Sequence, residues 1–201
     1  AFGTILESAY GIGSKKYRDY SSGGHHRTWG GLFKGAGIPL NLVVAGISEV
    51  GTSKINARHP FGSISQSCIR GKRKDPCKNC WKCFRKILLD KIIREEEIED
   101  SLLDELFSIK EAKHFLGSFP IKHENTLTWI TSRYSGQHEL MLHLKRRVRG
   151  DKIPLDWLEF WNPESATLIH QTCREWVTKK IVSEIGEMNS EMIEEMKQWD
   201  M

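Results

Sequence analysis

Four of the chain's five cysteines fall within sixteen residues, "CIRGKRKDPCKNCWKC", spaced Cys68-x8-Cys77-x2-Cys80-x2-Cys83. A C-x2-C turn lets two thiolates reach one tetrahedral ion at ~2.3 Å. Two overlapping turns bring round a third sulfur, and the eight-residue loop, with Gly71 and Pro76, can fold back to deliver the fourth. Three chemistries compete for such a set: one zinc ion, an iron–sulfur cluster, or two disulfides. Local C-x2-C disulfides are strained and a reducing compartment disfavours them. C-x2-C-x2-C occurs in ferredoxins, but here the fourth cysteine lies nine positions before the triplet and no Cys-Pro follows it. Zinc is the expected metal. With four thiolate ligands it would be structural, because no position is left open for water. Cys173, in "LIHQTCREWV", stands apart on a helical pattern and is expected to be a core thiol.

The charge around these thiols is one-sided. Ile69 to Lys86 holds eight Lys/Arg and one Asp, against a net charge of only +4 for all 201 residues. Four thiolates on one Zn²⁺ leave a charge of −2, which nearby cations offset. The same cations could meet a polyanion, either ATP phosphates or nucleic acid. The acidic tail, with five acids and one Lys from Glu187 to Met201, reads as solvated surface. Hydrophobic content is 39% and charged content 28%, which fits a globular chain and argues against wholesale disorder. No apolar run approaches bilayer length and no signal peptide is visible, so a reducing, cytoplasmic location is expected.

The elements that must position the cysteines differ on their two sides. Upstream, "ILESAYGIG" reads as a helix end and "SKKYRDYSSGGHHR" as a polar glycine-bearing loop. Its "SGG" is similar to a phosphate-binding glycine turn, but it follows no buried strand and lacks a downstream Asp-Ser. "IPLNLVVAGI", rich in β-branched residues, predicts a buried strand. "SEVGTSKINARHP" predicts a helix with Ser48 as N-cap, ending before Pro60. Downstream, apolar residues at helical spacing predict a series of helices. They start at "CFRKILL", break near "REEEIED", and stop at Gly117 and Pro120 before continuing to the end. The expected organisation is an α/β piece over residues 1–90, cysteine loop included, and a helical extension over 91–201.

The cysteine array, opened by "SC" and closed by "CFRKILL", resembles the zinc loop of 7-cyano-7-deazaguanine synthases. These belong to the PP-loop, or adenine-nucleotide alpha-hydrolase, superfamily. Upstream, "IGSKKYRDYSSG", "IPLNLVVAGISEVGTSKI" and "RHPFGSISQSC" stand where that family has a strand and substrate loop, a strand and helix, and an approach to the first cysteine. The resemblance covers residues 1–90. It implies an α/β fold, the C-terminal part of a Rossmann-like PP-loop domain. It also implies an ATP- and Mg-dependent ligase that adenylates a carboxylate and then admits an amine. Two departures stand out. The Ser-Gly-Gly-x-Asp-Ser signature that cradles ATP is absent, so the nucleotide site is expected from a preceding segment or a partner chain. The chain also continues for 118 residues past Cys83, which suggests a divergent member acting on a macromolecule. Synthase-like proteins occur in bacterial antiviral defence operons, and that setting is an expectation too.

Under this resemblance the substrate contacts are Tyr17, Arg18, Asp19 and Tyr20 on the first loop and Ser48 and Glu49 after the strand. For each, a surface loop or a helix cap is the plainer reading. Lys54 and Arg58, one turn apart on a single helix face, are expected phosphate contacts. So are Arg70 and Lys72, with Arg73 and Lys74 beside them, unless these serve only as counter-charge to the thiolates. His25 and His26 form an adjacent pair that is more often solvated than metal-bound. Two other classes of function remain. One is a zinc-dependent nucleic-acid-binding module that uses the basic loop, Trp81 and "HLKRRVR". The other is a non-catalytic scaffold that binds a partner through Trp157 and Trp161.

Overall fold

The computed structural model describes residues 24–38, 43–72 and 75–199. Among them are nine α-helices. They are α1 (Gly24–Gly35), α2 (Glu49–Arg58), α3 (Trp81–Ile93), α4 (Asp100–Ser108), α5 (Lys110–Gly117), α6 (Glu124–Ser132), α7 (Glu139–Arg147), α8 (Gln171–Ile185) and α9 (Ser190–Gln198). There is no sheet among the described residues; the isolated bridges Lys72–Asp75 and Trp161–Glu187 are the extent of the β-pairing. The expected α/β fold, part of a PP-loop Rossmann-like domain, is therefore corrected to a helical one.

The physical reason lies at "IPLNLVVAGI". Within it, Val43–Gly46 is a turn, and neither Ile38 nor Ile47 is in a strand. Gly46 has φ +79°, and a Cβ there would lie 2.6 Å from Ser165 Oγ and 2.7 Å from the Asn162 carbonyl oxygen. The backbone carbonyls that a strand would offer to a neighbour go elsewhere. Ala45 O accepts from Trp161 Nε1 at 2.9 Å and Gly46 O accepts from Asn162 N at 2.9 Å. A run of β-branched residues signals burial as much as extension. Here Val43–Gly46 is a turn that enters the core only at its C-terminal end: Val43 is exposed and Val44 half-buried, while Ala45 and Ile47 are buried.

The contacts divide the chain into two compact units, one formed by Ala1–Thr52 and Asp156–Met201, the other by Ser53–Leu155. Helix α3 runs through residue 90, so the expected division at 90/91 falls inside a helix. In the discontinuous unit, "IPLDWLEFWNPES" is interior. Trp157, Leu158 and Trp161 are buried together with Ile169, Val177, Ile181 and Ile185. Trp161 N donates to Gly186 O at 3.2 Å and Met188 N donates to Trp161 O at 2.8 Å, which pins the segment beyond α8. Trp157 and Trp161 are thus core residues and offer little surface to the partner that the scaffold reading assigns them. Cys173 is half-buried rather than fully so. The Ser48 N-cap is present: Gly51 N donates to Ser48 Oγ at 2.9 Å, and Ser48 Oγ donates to Leu158 O. Helix α2 ends at Arg58, as Pro60 requires.

The other unit, which holds the cysteines, packs α3 against α5 and α6, α4 against α5, and α6 against α7. Leu88, Leu103, Leu106, Leu127, Ile130 and Met141 are almost completely shielded from solvent there. Of the residues whose helical spacing reads as one apolar face on each helix, Leu88, Leu106 and Trp129 are buried, while Ile92, Leu102 and Phe115 are half-buried. Lys145, Arg146 and Arg147 occupy the last turn of α7, where the helix dipole favours cations. Two of them are also tied down: Lys145 Nζ donates to Tyr134 O at 3.2 Å and Arg147 to Ser118 O at 3.0 Å. Much of "HLKRRVR" is therefore spent within the unit.

Candidate metal centre and its cleft

The metal loop closes onto a helix end. Cys80 is the N-cap of α3, with extended φ −141° and ψ 162°, and its Sγ accepts from Cys83 N at 3.4 Å. A thiol does here what Ser, Thr or Asp does at most helix starts. Cys83 lies on the first turn of the helix, so the second C-x2-C unit is a cap and a first turn. Lys78, at φ +51°, makes the left-handed bend between Cys77 and Cys80. At the other end, a Cβ on Gly71 would meet Asp75 O at 2.2 Å and Cys77 N at 2.6 Å. Only glycine permits the fold-back that returns Cys68. Gln66 Nε2 donates to the carbonyls of Cys68, at 2.8 Å, and Lys72, at 3.0 Å, and so ties down the loop.

The result is four Sγ atoms all within 4.8 Å of one another. Cys80–Cys83 is 3.5 Å and Cys77–Cys83 is 3.7 Å. A tetrahedron with metal–sulfur bonds of ~2.3 Å has sulfur–sulfur edges of about 3.8 Å, so the set fits one tetrahedral ion. All five cysteines are free thiols, and a disulfide at ~2.05 Å matches no separation in the set. A multi-iron cluster would spread its four thiolates farther apart than a single ion does. The electrostatics also call for a cation. Cys77 N–H donates to Cys68 Sγ at 3.4 Å and pulls that thiol down to about 6, whereas burial pushes Cys83 up. Four thiolates this close cannot all ionise without a metal among them.

A carboxylate from another helix completes the centre's support. Glu111, on α5, accepts from Trp81 N at 2.9 Å, satisfying an otherwise unpaired donor at the start of α3. Its other oxygen pairs with Arg70 of the metal loop. Hydrogen bonding to Arg70 and then to Trp81 N–H holds the Glu111 carboxyl below the usual carboxylate range. One residue thus ties loop, helix start and α5 together.

Beside this bridge lies a cleft of about 680 Å³, walled by the metal loop, the first turns of α3, α5, and Lys122 and His123 ahead of α6. Cys68 and Cys80 are in its wall, as are Trp81 and Phe115, whose ring centroids are 5.4 Å apart. Five Lys/Arg side chains line it against one carboxylate, Glu111. Of the expected phosphate contacts only Arg70 is in the cleft, and it is engaged by Glu111. Lys72 shows its carbonyl to Gln66 and its side chain to solvent. Lys54 and Arg58 lie on α2, away from the cleft lining. Ser48 and Glu49 are buried, Ser48 as a helix cap. Tyr17, Arg18, Asp19 and Tyr20 lie outside the described residues, as do Arg73, Lys74 and the side chains of His25 and His26. Lys110, Lys122 and Phe115 were not among the residues expected from the sequence. Each sits in an ordinary amphipathic helix or its approach, and only the packing of α5 and α6 against α3 brings them beside the sulfur set.

Residues 28–200 match the model of DUF6395, described as a family of unknown function, and the chain belongs to that family. No curated protein and no solved structure matches the chain.

Proposed function

We propose that this member of DUF6395 is a zinc-structured module and forms the zinc-bearing part of an ATP-dependent carbon–nitrogen ligase of the 7-cyano-7-deazaguanine synthase type. The observation that carries the reading is the convergence of Cys68, Cys77, Cys80 and Cys83 on one tetrahedral volume, in the spacing and flanking context that resemble the synthases' zinc loop. Zinc is the ion such a set favours: it is d¹⁰ and redox-silent, and four thiolates close its coordination shell. Its role here is to hold the wall of the cleft. The nucleotide chemistry, with ATP and Mg, belongs to a PP-loop element that these 201 residues lack, supplied by another segment or a partner chain. The substrate is a carboxylated flat heterocycle or a macromolecule bearing one. Thiols kept available for zinc place the protein in a reducing cytoplasm, and an antiviral defence setting fits a divergent member. No helix among the described residues is long and apolar enough to cross a membrane.

The test is a calorimetric titration of the zinc-loaded chain with 7-carboxy-7-deazaguanine, alongside metal analysis. The expected result is about one zinc per chain and saturable heterocycle binding that is lost on chelation. Stoichiometric zinc with no heterocycle binding overturns the ligase reading and leaves the zinc module. Stoichiometric iron with visible charge-transfer bands overturns the zinc. The chain alone is expected not to convert ATP to AMP, since it lacks the nest of N–H groups that a PP-loop provides. Turnover by the chain alone would contradict the divided site.

A further inference from the structure

The cleft beside the thiolates carries more positive charge than a zinc centre requires. A tetrathiolate zinc has a charge of −2. Five Lys/Arg against Glu111 leave a surplus even after that is set against them. The cations also come from separate elements. Lys82 and Arg85 are on α3, Lys110 opens α5, and Lys122 precedes α6. Arg85 is only 4% exposed, with its guanidinium carbon 5.9 Å from the Trp81 ring centroid, so the ring attracts the cation and holds it in the cleft wall. Lys82 and Lys110 are exposed at the rim.

Two further features point to a ligand. Trp81 is buried in the cleft wall, yet its indole N–H meets no acceptor among the described residues. Such donors normally find one. Ile69, at the lip of the cleft, is 92% exposed, and Phe115 is half-buried. Apolar faces set among cations suit a chain of alternating bases and phosphates. They suit an acidic peptide less well, since no sheet edge is present among the described residues to pair with its backbone. A cleft of this volume admits unpaired nucleotides, while a duplex would meet it only through its backbone.

We propose that this cleft binds single-stranded nucleic acid, with phosphates on Lys82, Lys110 and Arg85 and the sugar or base faces on Ile69 and Phe115. The site does not rest on the ligase reading: heterocycle binding can fail while strand binding stands, and the reverse.

The experiment is fluorescence anisotropy of labelled single strands of about twelve nucleotides, oligo-U and oligo-dT, with the zinc-loaded full chain. Affinity is expected to fall between about 50 and 200 mM salt, with a log–log slope of about −0.7 per phosphate contact. Lys82→Glu with Lys110→Glu should weaken binding about tenfold or more, with zinc content and helical circular dichroism unchanged. Both side chains are exposed, and a glutamate at the first position of α5 suits the helix dipole. If Lys82→Glu lowers the zinc content, Lys110→Glu with Lys122→Glu carries the test. Lys34→Glu with Lys152→Glu, the same charge change at exposed sites outside the cleft lining, should weaken binding much less. The proposal is overturned by an unchanged affinity in the cleft variant or by an equal loss in the control variant. It is also overturned by a Glu-rich peptide of matched length and charge that binds as tightly as the oligonucleotides, which would make the cleft a site for an acidic protein segment.

Discussion

In the discontinuous unit, Trp157, Trp161 and Trp199 are buried, and segments more than a hundred residues apart are stitched by bonds such as Trp161 Nε1 to Ala45 O. In the cysteine unit, the interior beside α3 includes the sulfurs themselves. Cys68, Cys80 and Cys83 are buried, with Cys77 and Ile87 packed against them. The first interior is maintained by apolar area and hydrogen bonds, neither of which needs a metal. The second contains four groups that repel one another once ionised and that cohere only around a cation. On the zinc reading proposed above, the same chain has one core that is independent of metal and one that is conditional on it.

The largest effect that should separate them is loss of a ligand. Cys80→Ser is expected to reduce bound zinc from about one per chain to none. It should also raise hydrogen exchange across Gln66–Leu89, because structural zinc binding, ~10–16 kcal/mol in small peptides, is folding free energy. Peptides from Leu158–Ile185 should keep their protection. If both units loosen together, the comparison fails and the two interiors are one cooperative structure. Trp161→Ala is the converse variant. It should cost about 3–5 kcal/mol in the discontinuous unit, read by denaturant titration, and leave zinc stoichiometry unchanged.

Next in size are two glycines, one in each unit. Gly71→Ala drives a Cβ into backbone on both sides of the loop, and the expected result is weaker zinc retention in a chelator competition. Gly46→Ala drives a Cβ onto Ser165 and Asn162 at a left-handed φ. It should destabilise by about 1–3 kcal/mol, with zinc retention unaffected.

The smallest effect concerns pH in the cysteine unit. Burial raises the Glu124 carboxyl above its ordinary value, opposed by the Ile121 N–H and by Arg149 and Arg147. A carboxyl with a raised folded value binds its proton more readily folded than unfolded. Acidifying from neutrality through that raised value should thus add stability, until the unfolded value near ~4.3 is passed. Glu124→Gln keeps an acceptor for Ile121 N and should flatten this limb while leaving the pH response of the discontinuous unit alone. An unchanged profile in Glu124→Gln would remove Glu124 as the cause.

The helical half of the molecule was largely legible in the sequence. Gly117 and Pro120 end α5, Pro60 follows α2, and the apolar spacing of Leu88, Leu106 and Trp129 marks buried faces, although Ile92, Leu102 and Phe115 of the same pattern are only half-buried. The sulfur set was legible for a similar reason: its geometry is local, and C-x2-C spacing encodes a turn. What the sequence misplaced depends on distant partners. "LVVAG" has the composition of a strand, but the carbonyls of Ala45 and Gly46 are taken by residues 161 and 162, a pairing that no local window contains. The aromatic "WLEFW" segment, so polar in its surroundings, looks like a surface patch until the same bonds turn it inward. The cleft was half legible. Its α3 side follows from the cysteine loop, whereas Lys110 and Lys122 arrive through tertiary packing.

The sulfur of Cys80 is at once a member of the candidate metal-binding set and the cap of α3. The costly step in making a helix is its first turn, which fixes several dihedrals before any gain is returned. A metal that clamps Cys80 and Cys83 fixes that turn in advance and sets its register, so α3 has a seed from which to grow. Because α5 and α6 lean on α3, metal capture would then come early in the folding sequence and set its pace. Refolding from denaturant should be markedly faster when zinc is present at the moment of dilution than when it is added afterwards. Equal rates would mean that the helix forms first and the ion merely arrives.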